Sequence, residues 1–339
     1  MDDADHADET DAAVDADQAD HADETDPELR AAAETAVGQC LGVAAGESCV
    51  VVTDDETRAV GEALYRAARG RTDGAVVVRT PPGDQHGAEP PAPVAAAMRA
   101  ADVFLVPTAK SLSHTRARDA ANEAGARGVT MPGVTREVMV AGLDADYEAI
   151  AAECERVRAA VDGAETLRVV TPAGTDLTVE PGGREWHSDT GLVHDPGGFS
   201  NLPAGEVFVS PATGDGRFVV DGTTMPYGLV DDPVEFVVED GLVTSVSDDA
   251  VRDQLETAAD EVGDAAYNLA ELGVGTNVGV ADLVGSVLLD EKAAGTVHVA
   301  VGDDASIGGD VEAPIHLDGV LRDPTLYADG EQVALPSGV

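Results

Sequence analysis

SCVVVT at residues 48–53 and DVFLVPT at 102–108 are short apolar runs without alternation. That is the pattern of strands covered on both faces. GAVVVRT (74–80) and GVTMPG (128–133) read the same way. Amphipathic runs separate them: RAVGEALYRAARG (58–70), PVAAAMRAA (93–101) and HTRARDAANEAG (114–125), with ELRAAAETAVGQCL (28–41) before the first strand. Strand–helix alternation of this kind predicts an α/β domain with a mostly parallel sheet over 28–162, closed by a helix over 144–162. Neither GxGxxG nor GxxxxGK[ST] follows any of these strands, which argues against a dinucleotide or P-loop site. The loop TAKSLSHTRAR (108–118) lies at the carboxyl end of a strand, where open α/β sheets bind ligands. Ser113 is placed to cap the next helix. Lys110, His114, Arg116 and Arg118 gather positive charge there, and capping plus surface ion pairing accounts for them.

Beyond 162 the texture changes. LRVVTP, TDLTVE, EVFVSP, RFVVDG, VEFVVED and LVTSVS are short β segments with Gly, Pro and Asp turns. EDG at 239–241 is a hairpin signal. Helices are expected at about 249–260 and 279–291. The expectation for 163–339 is an α+β domain built on mixed or antiparallel sheets.

That domain carries the residues with the most chemical content. Glu206 lies in NLPAGEVF (201–208), Glu271 in NLAELGVGTN (268–277), His298 in GTVHVAVG (295–302), and His316 and Asp318 in PIHLDGV (314–320). A charged side chain in an apolar strand is costly unless a partner or a metal compensates it. Two imidazoles and three carboxylates are the donor types that a pair of divalent ions takes. On a strand, residues i and i+2 share a face, so His316 and Asp318 project side by side with Leu317 behind them. The plain alternative for His298 is a core imidazole bonded to a backbone carbonyl, and for Glu206 a strand-end carboxylate facing solvent. Of the eight histidines, only His298 and His316 sit in apolar strands. His6 and His21 lie in an acidic tail, His86 in a Pro/Gly-rich loop, and His114 opens a helix. His187 and His194 flank a turn-rich region, where a ligand or substrate contact is the less favoured reading.

Composition narrows the function classes. Residues 1–29 hold 13 of the 65 acids and no Lys or Arg. Beyond them 52 acids face 20 bases, a balance of −32 against −45 for the whole chain. The excess therefore belongs to the folded surface, as expected of a protein adapted to a salt-rich cytoplasm. Nucleic-acid binding is disfavoured, because phosphates call for basic patches. No apolar run of about 20 residues suggests a membrane span, and the acidic N-terminus does not read as a signal peptide. Cys40, Cys49 and Cys154 lack CxxC spacing and read as reduced cytosolic thiols. ADHADETD occurs at 4–11 and again at 19–26, and 1–27 reads as a disordered acidic tail.

NLPAGEVF, NLAELGVGTN, GTVHVAVG and IHLDGV, in that order, resemble the M29 metallopeptidase family of the aminopeptidase T type. TAKSLSHTRAR and GVTMPGVTREVM (128–139) resemble that family's N-terminal domain. The resemblance covers nearly the whole chain beyond the tail. It implies a cytoplasmic, homodimeric metallo-aminopeptidase with a large internal cavity and a peptide substrate. Two divalent ions (Zn, Co or Mn) would be held by Glu206, Glu271, His298, His316 and Asp318, with Asp318 or Glu206 bridging. The chain departs from the larger members in two places. Gly205-Glu206 stands where they carry Glu-Glu, and GDDASIGG (302–309) lacks their tyrosine, for which Tyr227, Tyr267 or Tyr327 are the substitutes on offer. The resemblance extends to an iron(II) ring-cleaving dioxygenase of pyridine diols. For that chemistry His298, His316 and Asp318 would supply a two-histidine, one-carboxylate site. A non-catalytic metal-binding homologue is the third alternative.

Overall fold

The structure, a computed structural model, describes residues 26–338. Its first layer is the expected parallel sheet. Strands β1 (Ser48–Asp54), β2 (Gly74–Thr80), β3 (Val103–Thr108) and β4 (Arg127–Pro132) alternate with helices α1 (Pro27–Thr35), α2 (Arg58–Arg69), α3 (Ala92–Ala100) and α4 (Arg116–Glu123). The strand order is β2-β1-β3-β4, every neighbour parallel. β3 is buried along its whole length, as its unbroken apolar run requires. Helices α5 (Arg136–Leu143) and α6 (Tyr147–Val161) follow. The α1 run does not end at Thr35 but continues as a π-helical turn, Ala36–Cys40.

The remaining strands are β5 (Leu167–Val170), β6 (Asp176–Glu180), β7 (His187–Asp189), β8 (Phe199–Asn201), β9 (Glu206–Val209), β10 (Thr213–Val220), β11 (Thr223–Thr224) and β12 (Gly228–Leu229). Then come β13 (Val234–Glu239), β14 (Leu242–Val246), helix α7 (Asp249–Val262), β15 (Leu269–Gly275), the short helix α8 (Val287–Asp290), β16 (Val297–Gly302), β17 (His316–Leu321), β18 (Thr325–Ala328) and β19 (Glu331–Val333). They form two antiparallel sheets, β14-β13-β10-β6-β5-β18-β19 and β12-β11-β17-β16-β15-β9-β7. β8 leaves them and pairs in parallel with β4, so a segment from beyond residue 162 completes the first sheet. The hairpin at 239–241 forms as read, with Asp240 (φ 51°) and Gly241 (φ 79°) both left-handed, the backbone that a tight turn with matching twist needs.

Three expectations need correction. The helix over 279–291 shrinks to Val287–Asp290. Gly285 takes φ 85°, and the buried Asp290 carboxylate accepts from the Val284 and Gly285 amides and the Thr223 hydroxyl, holding a loop instead. Ser113 does not cap α4. Thr115 does, accepting from the Arg118 amide at 3.3 Å, while the Ser113 hydroxyl bonds Thr130 at 2.7 Å. The acidic tail, read to residue 27, falls outside the described residues only to residue 25. Asp26 is the N-cap of α1 and an ion-pair partner of Arg136, and Pro27 starts the helix. The ion pairing of the plain reading is present in the basic loop, Arg116 on Glu89 and Arg118 on Asp119, and Arg118 also donates to the Ser113 carbonyl. Cys40, Cys49 and Cys154 are free and buried. Among the described residues no helix is long and apolar enough to cross a membrane.

Candidate metal centre

All five candidate ligands come together. They sit on four adjacent strands, β9, β15, β16 and β17, and register explains the convergence. Glu206 opposes Gly275 and His298 opposes Gly273, while Asp318 opposes Ala300 and His316 opposes Gly302. On one side each polar side chain thus faces glycine or alanine, while on the other Glu206 opposes Asp189 and His298 opposes Val320. Glu206, Glu271 and His298 are 8%, 6% and 1% exposed.

The five divide into two groups whose donor atoms lie within 4.8 Å of one another, Glu206–Glu271–His298 and Glu271–His316–Asp318. Glu271 is common to both, with Oε1 at 3.0 Å from His298 Nε2 and Oε2 at 3.4 Å from His316 Nε2. His316 Nε2 is 3.5 Å from Asp318 Oδ1, the side-by-side arrangement that the strand period implies. The carboxylate common to both groups is Glu271, while Asp318 and Glu206, the expected bridging candidates, each belong to one group. The two imidazoles fall in different groups, so His298, His316 and Asp318 do not converge on one point as a two-histidine, one-carboxylate site needs. Glu271, His316 and Asp318 do converge, but as one histidine and two carboxylates.

The donor set fits a divalent ion. His298 Nδ1–H donates to the Glu291 carbonyl at 3.0 Å, and His316 Nδ1–H to the Asp303 carbonyl at 2.7 Å. Backbone partners of this kind fix ring orientation and tautomer in metal-binding imidazoles. Both Nε2 atoms are thereby aimed at carboxylate oxygens. A bare lone pair facing a carboxylate is repulsive, so each Nε2 carries either a proton or a metal. Burial alone would lower the pKa of His298, but Glu271, with Glu206 and Glu291 behind it, raises it to about 9. Burial opposes the same change at His316, yet Asp318 and Glu271 hold it well above its ordinary value.

A cavity of about 850 Å³ opens onto this face. His316, Asp318, Glu271 and Glu206 line it from the antiparallel sheet, and His86, Ser111, His114 and Asn201 from the parallel-sheet side. Sequence reading missed several of these residues. Lys292 is 1% exposed, with Nζ at 3.2 Å from Glu206 Oε1 and in contact with Glu291. Burial, then the neighbouring carboxylates Asp318 and Glu206, push Glu291 up to about 8. The sequence signal was available: Lys292 is one of two lysines in a chain of 339 residues, and it follows an apolar helix turn. His114, read as a helix opener and as part of the basic loop accounted for by capping and ion pairing, faces the cavity; burial and then Arg118 hold its pKa below the ordinary value. His187 stacks on the cavity residue Phe208 with centroids 5.3 Å apart, and His194 lies elsewhere, bonded to the Gln39 carbonyl. Tyr227, Tyr267 and Tyr327 are not among the cavity-lining residues. Gly205 explains one departure from the resemblance. Its φ is 124°, and a Cβ there would lie 2.8–3.0 Å from Asn277, so a glutamate does not fit.

Gly273 has a comparable role. A Cβ on it would stand 2.0 Å from His298 Nε2. Gly273→Ala is therefore expected to turn the imidazole away from Glu271 and to cost about 1–3 kcal/mol of stability, the usual penalty for overpacking. A denaturant midpoint equal to that of the parent protein would show that the ring has room to spare.

Comparison with known proteins fits this geometry. The family described as 2,5-dihydroxypyridine 5,6-dioxygenase (NicX) matches residues 28–338. A 2,5-dihydroxypyridine 5,6-dioxygenase of Pseudomonas putida is 25% identical over 190 residues, 52% of this chain and 54% of that protein. The chain thus aligns with about half the length of that curated relative. The solved structure of 2,5-dihydroxypyridine dioxygenase from Pseudomonas putida KT2440 superposes with a TM-score of 0.75 at 20% identity, covering 92% of this chain and 96% of that one. Wild-type AmpT from Thermus thermophilus superposes with a TM-score of 0.62 at 18% identity, covering 91% and 99%. The AmpT likeness supports the M29-like fold that the motifs implied, and for activity the matches favour the dioxygenase alternative over the aminopeptidase. Because the family match spans almost all of the described residues, this chain belongs to the 2,5-dihydroxypyridine 5,6-dioxygenase (NicX) family.

Proposed function

We propose that this chain is a metal-dependent enzyme that opens a small hydroxylated aromatic ring with molecular oxygen, its substrate resembling 2,5-dihydroxypyridine. The observation that carries the reading is the family match over 28–338, which takes in every residue of the Glu271–His316–Asp318 group. Mixed carboxylate and imidazole donors suit iron(II) as well as zinc or manganese. Bound there, such an ion would supply activation of the ring and of oxygen. The protein's own part is to orient and deprotonate. His298 holds one oxygen of Glu271 at 3.0 Å, leaving the other toward His316. Phe208 offers an aromatic wall to a planar ring. His114 lines the cavity, and with its pKa lowered by burial and then by Arg118 it is the group we assign to take the proton of a ring hydroxyl.

A second reading has one observation of its own. Two donor groups sharing Glu271 are what a pair of ions ~3.5–4 Å apart would use to polarise a peptide carbonyl, as the M29 resemblance implies. One experiment separates the two. Protein reconstituted anaerobically with iron(II) is mixed with 2,5-dihydroxypyridine and oxygen uptake is recorded. The same preparation, and one loaded with zinc or manganese, is given a dipeptide with a free α-amine and its N-acetylated counterpart. Oxygen uptake dependent on the ring diol is expected, with neither peptide cut. Absence of uptake, together with cleavage of the free-amine peptide alone, would favour the aminopeptidase.

A further inference from the structure

Lys292 is where the two halves of the site differ. Its side chain is buried, its carbonyl accepts from the Asn277 amide at 2.9 Å, and its own amide donates to the Leu289 carbonyl at 3.1 Å, so the backbone that presents it is fixed. Nζ stands 3.2 Å from Glu206 Oε1 and touches Glu291. The other oxygen of Glu206 is 3.4 Å from His298 Nε2. Glu206 thus has both oxygens engaged, one by an ammonium and one by an imidazole. At the Glu271–His316–Asp318 end, no lysine or arginine pairs with a ligand in the described residues.

An ion bound through Glu206 would have a ligand bond of about 2.1 Å. For an ion bound through Oε1, that bond added to the 3.2 Å Nζ–Oε1 distance puts the ion no more than about 5.3 Å from the ammonium. Two like charges at that separation in a buried site repel strongly. The ammonium is tethered and an ion is not, so the ion is the one to be excluded. We propose that Lys292 is a built-in cation that takes the place of a second metal ion at Glu206, so that the chain holds one divalent ion, at Glu271, His316 and Asp318. The inference rests on reading these residues as a metal site, but its measurement is a count of ions that needs no turnover. Failure of the ring-opening reading would leave the count standing.

The test uses the full chain equilibrated with manganese(II), then desalted and analysed for metal per polypeptide. One ion per chain is expected for the parent protein, and two overturn the proposal. Lys292→Gln and Lys292→Met remove the charge and are expected to take up a second ion, reaching two per chain. Either variant, folded by circular dichroism and still holding one, overturns it. Glu206→Gln in the parent background is expected to keep its single ion with an affinity within about threefold of the parent; loss of that ion makes Glu206 a ligand and overturns the proposal. Where both Lys292 variants fail to fold even with manganese present, the counts for the parent and Glu206→Gln decide: one ion in each supports the proposal and any other pair of counts sinks it.

Discussion

His316→Ala is expected to lose its metal ion while remaining folded, with apparent affinity falling by more than about 100-fold. Partners in the outer shell of a metal site cost about 10–100-fold when removed, and His316 supplies a donor atom directly. Its side chain is one-third exposed at the cavity mouth, so alanine leaves a water-accessible gap and not a buried void. His298→Ala is expected to behave in the opposite way. That ring is 1% exposed and faces two buried carboxylates, Glu271 and Glu206. Removing it takes the imidazole from one oxygen of each, Glu206 keeping Lys292 and Glu271 keeping His316, at up to about 3–5 kcal/mol for breaking a buried pair, while the Glu271–His316–Asp318 group keeps its donors. Equilibrium denaturation and metal analysis on the two variants separate these outcomes. Full metal content in His316→Ala would remove the ring from the site. Proton linkage gives an independent check with a fixed sign. Without an ion His316 and His298 are held protonated, their pKa values raised by the facing carboxylates. An ion at His316 must displace the Nε2 proton, so its apparent affinity should rise with pH, by about tenfold per unit for each proton displaced. Titration calorimetry in two buffers of different ionisation enthalpy would read the released proton directly.

The parallel sheet was legible because its cause is local. CVVV within SCVVVT and VFLVP within DVFLVPT run apolar without alternation, and a strand covered on both faces suits that. The ligand set was legible for a related reason: two histidines and three carboxylates interrupt strands that are otherwise apolar. What escaped depended on contacts distant in sequence. FSN (199–201) carries no signal of joining a sheet that begins some 150 residues earlier, and only the β4 edge gives it a partner. The segment 279–291 has helix-like apolar spacing, but Asp290 bonds two loop amides and outcompetes the helix. The rarity of lysine marks Lys292 but not its place, and its role comes from Glu206, 86 positions away, which the β9–β15 pairing and the β15–β16 connection bring to it. Sharing of Glu271 between two groups was equally invisible, since it depends on β15 lying beside β16 with β17 beyond it.

The melting temperature is expected to drop by about 10 °C or more between about 2 M and about 0.1 M sodium chloride, where the Debye length grows from a few ångströms to ~10 Å. Two effects of salt oppose each other. Screening weakens exposed ion pairs such as Arg168–Asp176, Arg116–Glu89 and Arg217–Glu235, which hold the surface only weakly. It also relieves repulsion among the acids, and here number decides. Outside residues 1–29, 52 acids face 20 bases. At least eleven of the bases already sit on a carboxylate, and Lys292 is spent inside the metal centre. Repulsive neighbours therefore outnumber attractive ones on the surface, and the net effect of salt should be stabilising. Sucrose, which is excluded from the protein surface but does not screen charge, supplies the control: at equal osmolality it should not replace the salt. Removing residues 1–25 should change little, because most of the charge lies on the fold. A melting temperature flat across that salt range, or one restored by sucrose, would mean that the acidic surface is not what limits stability.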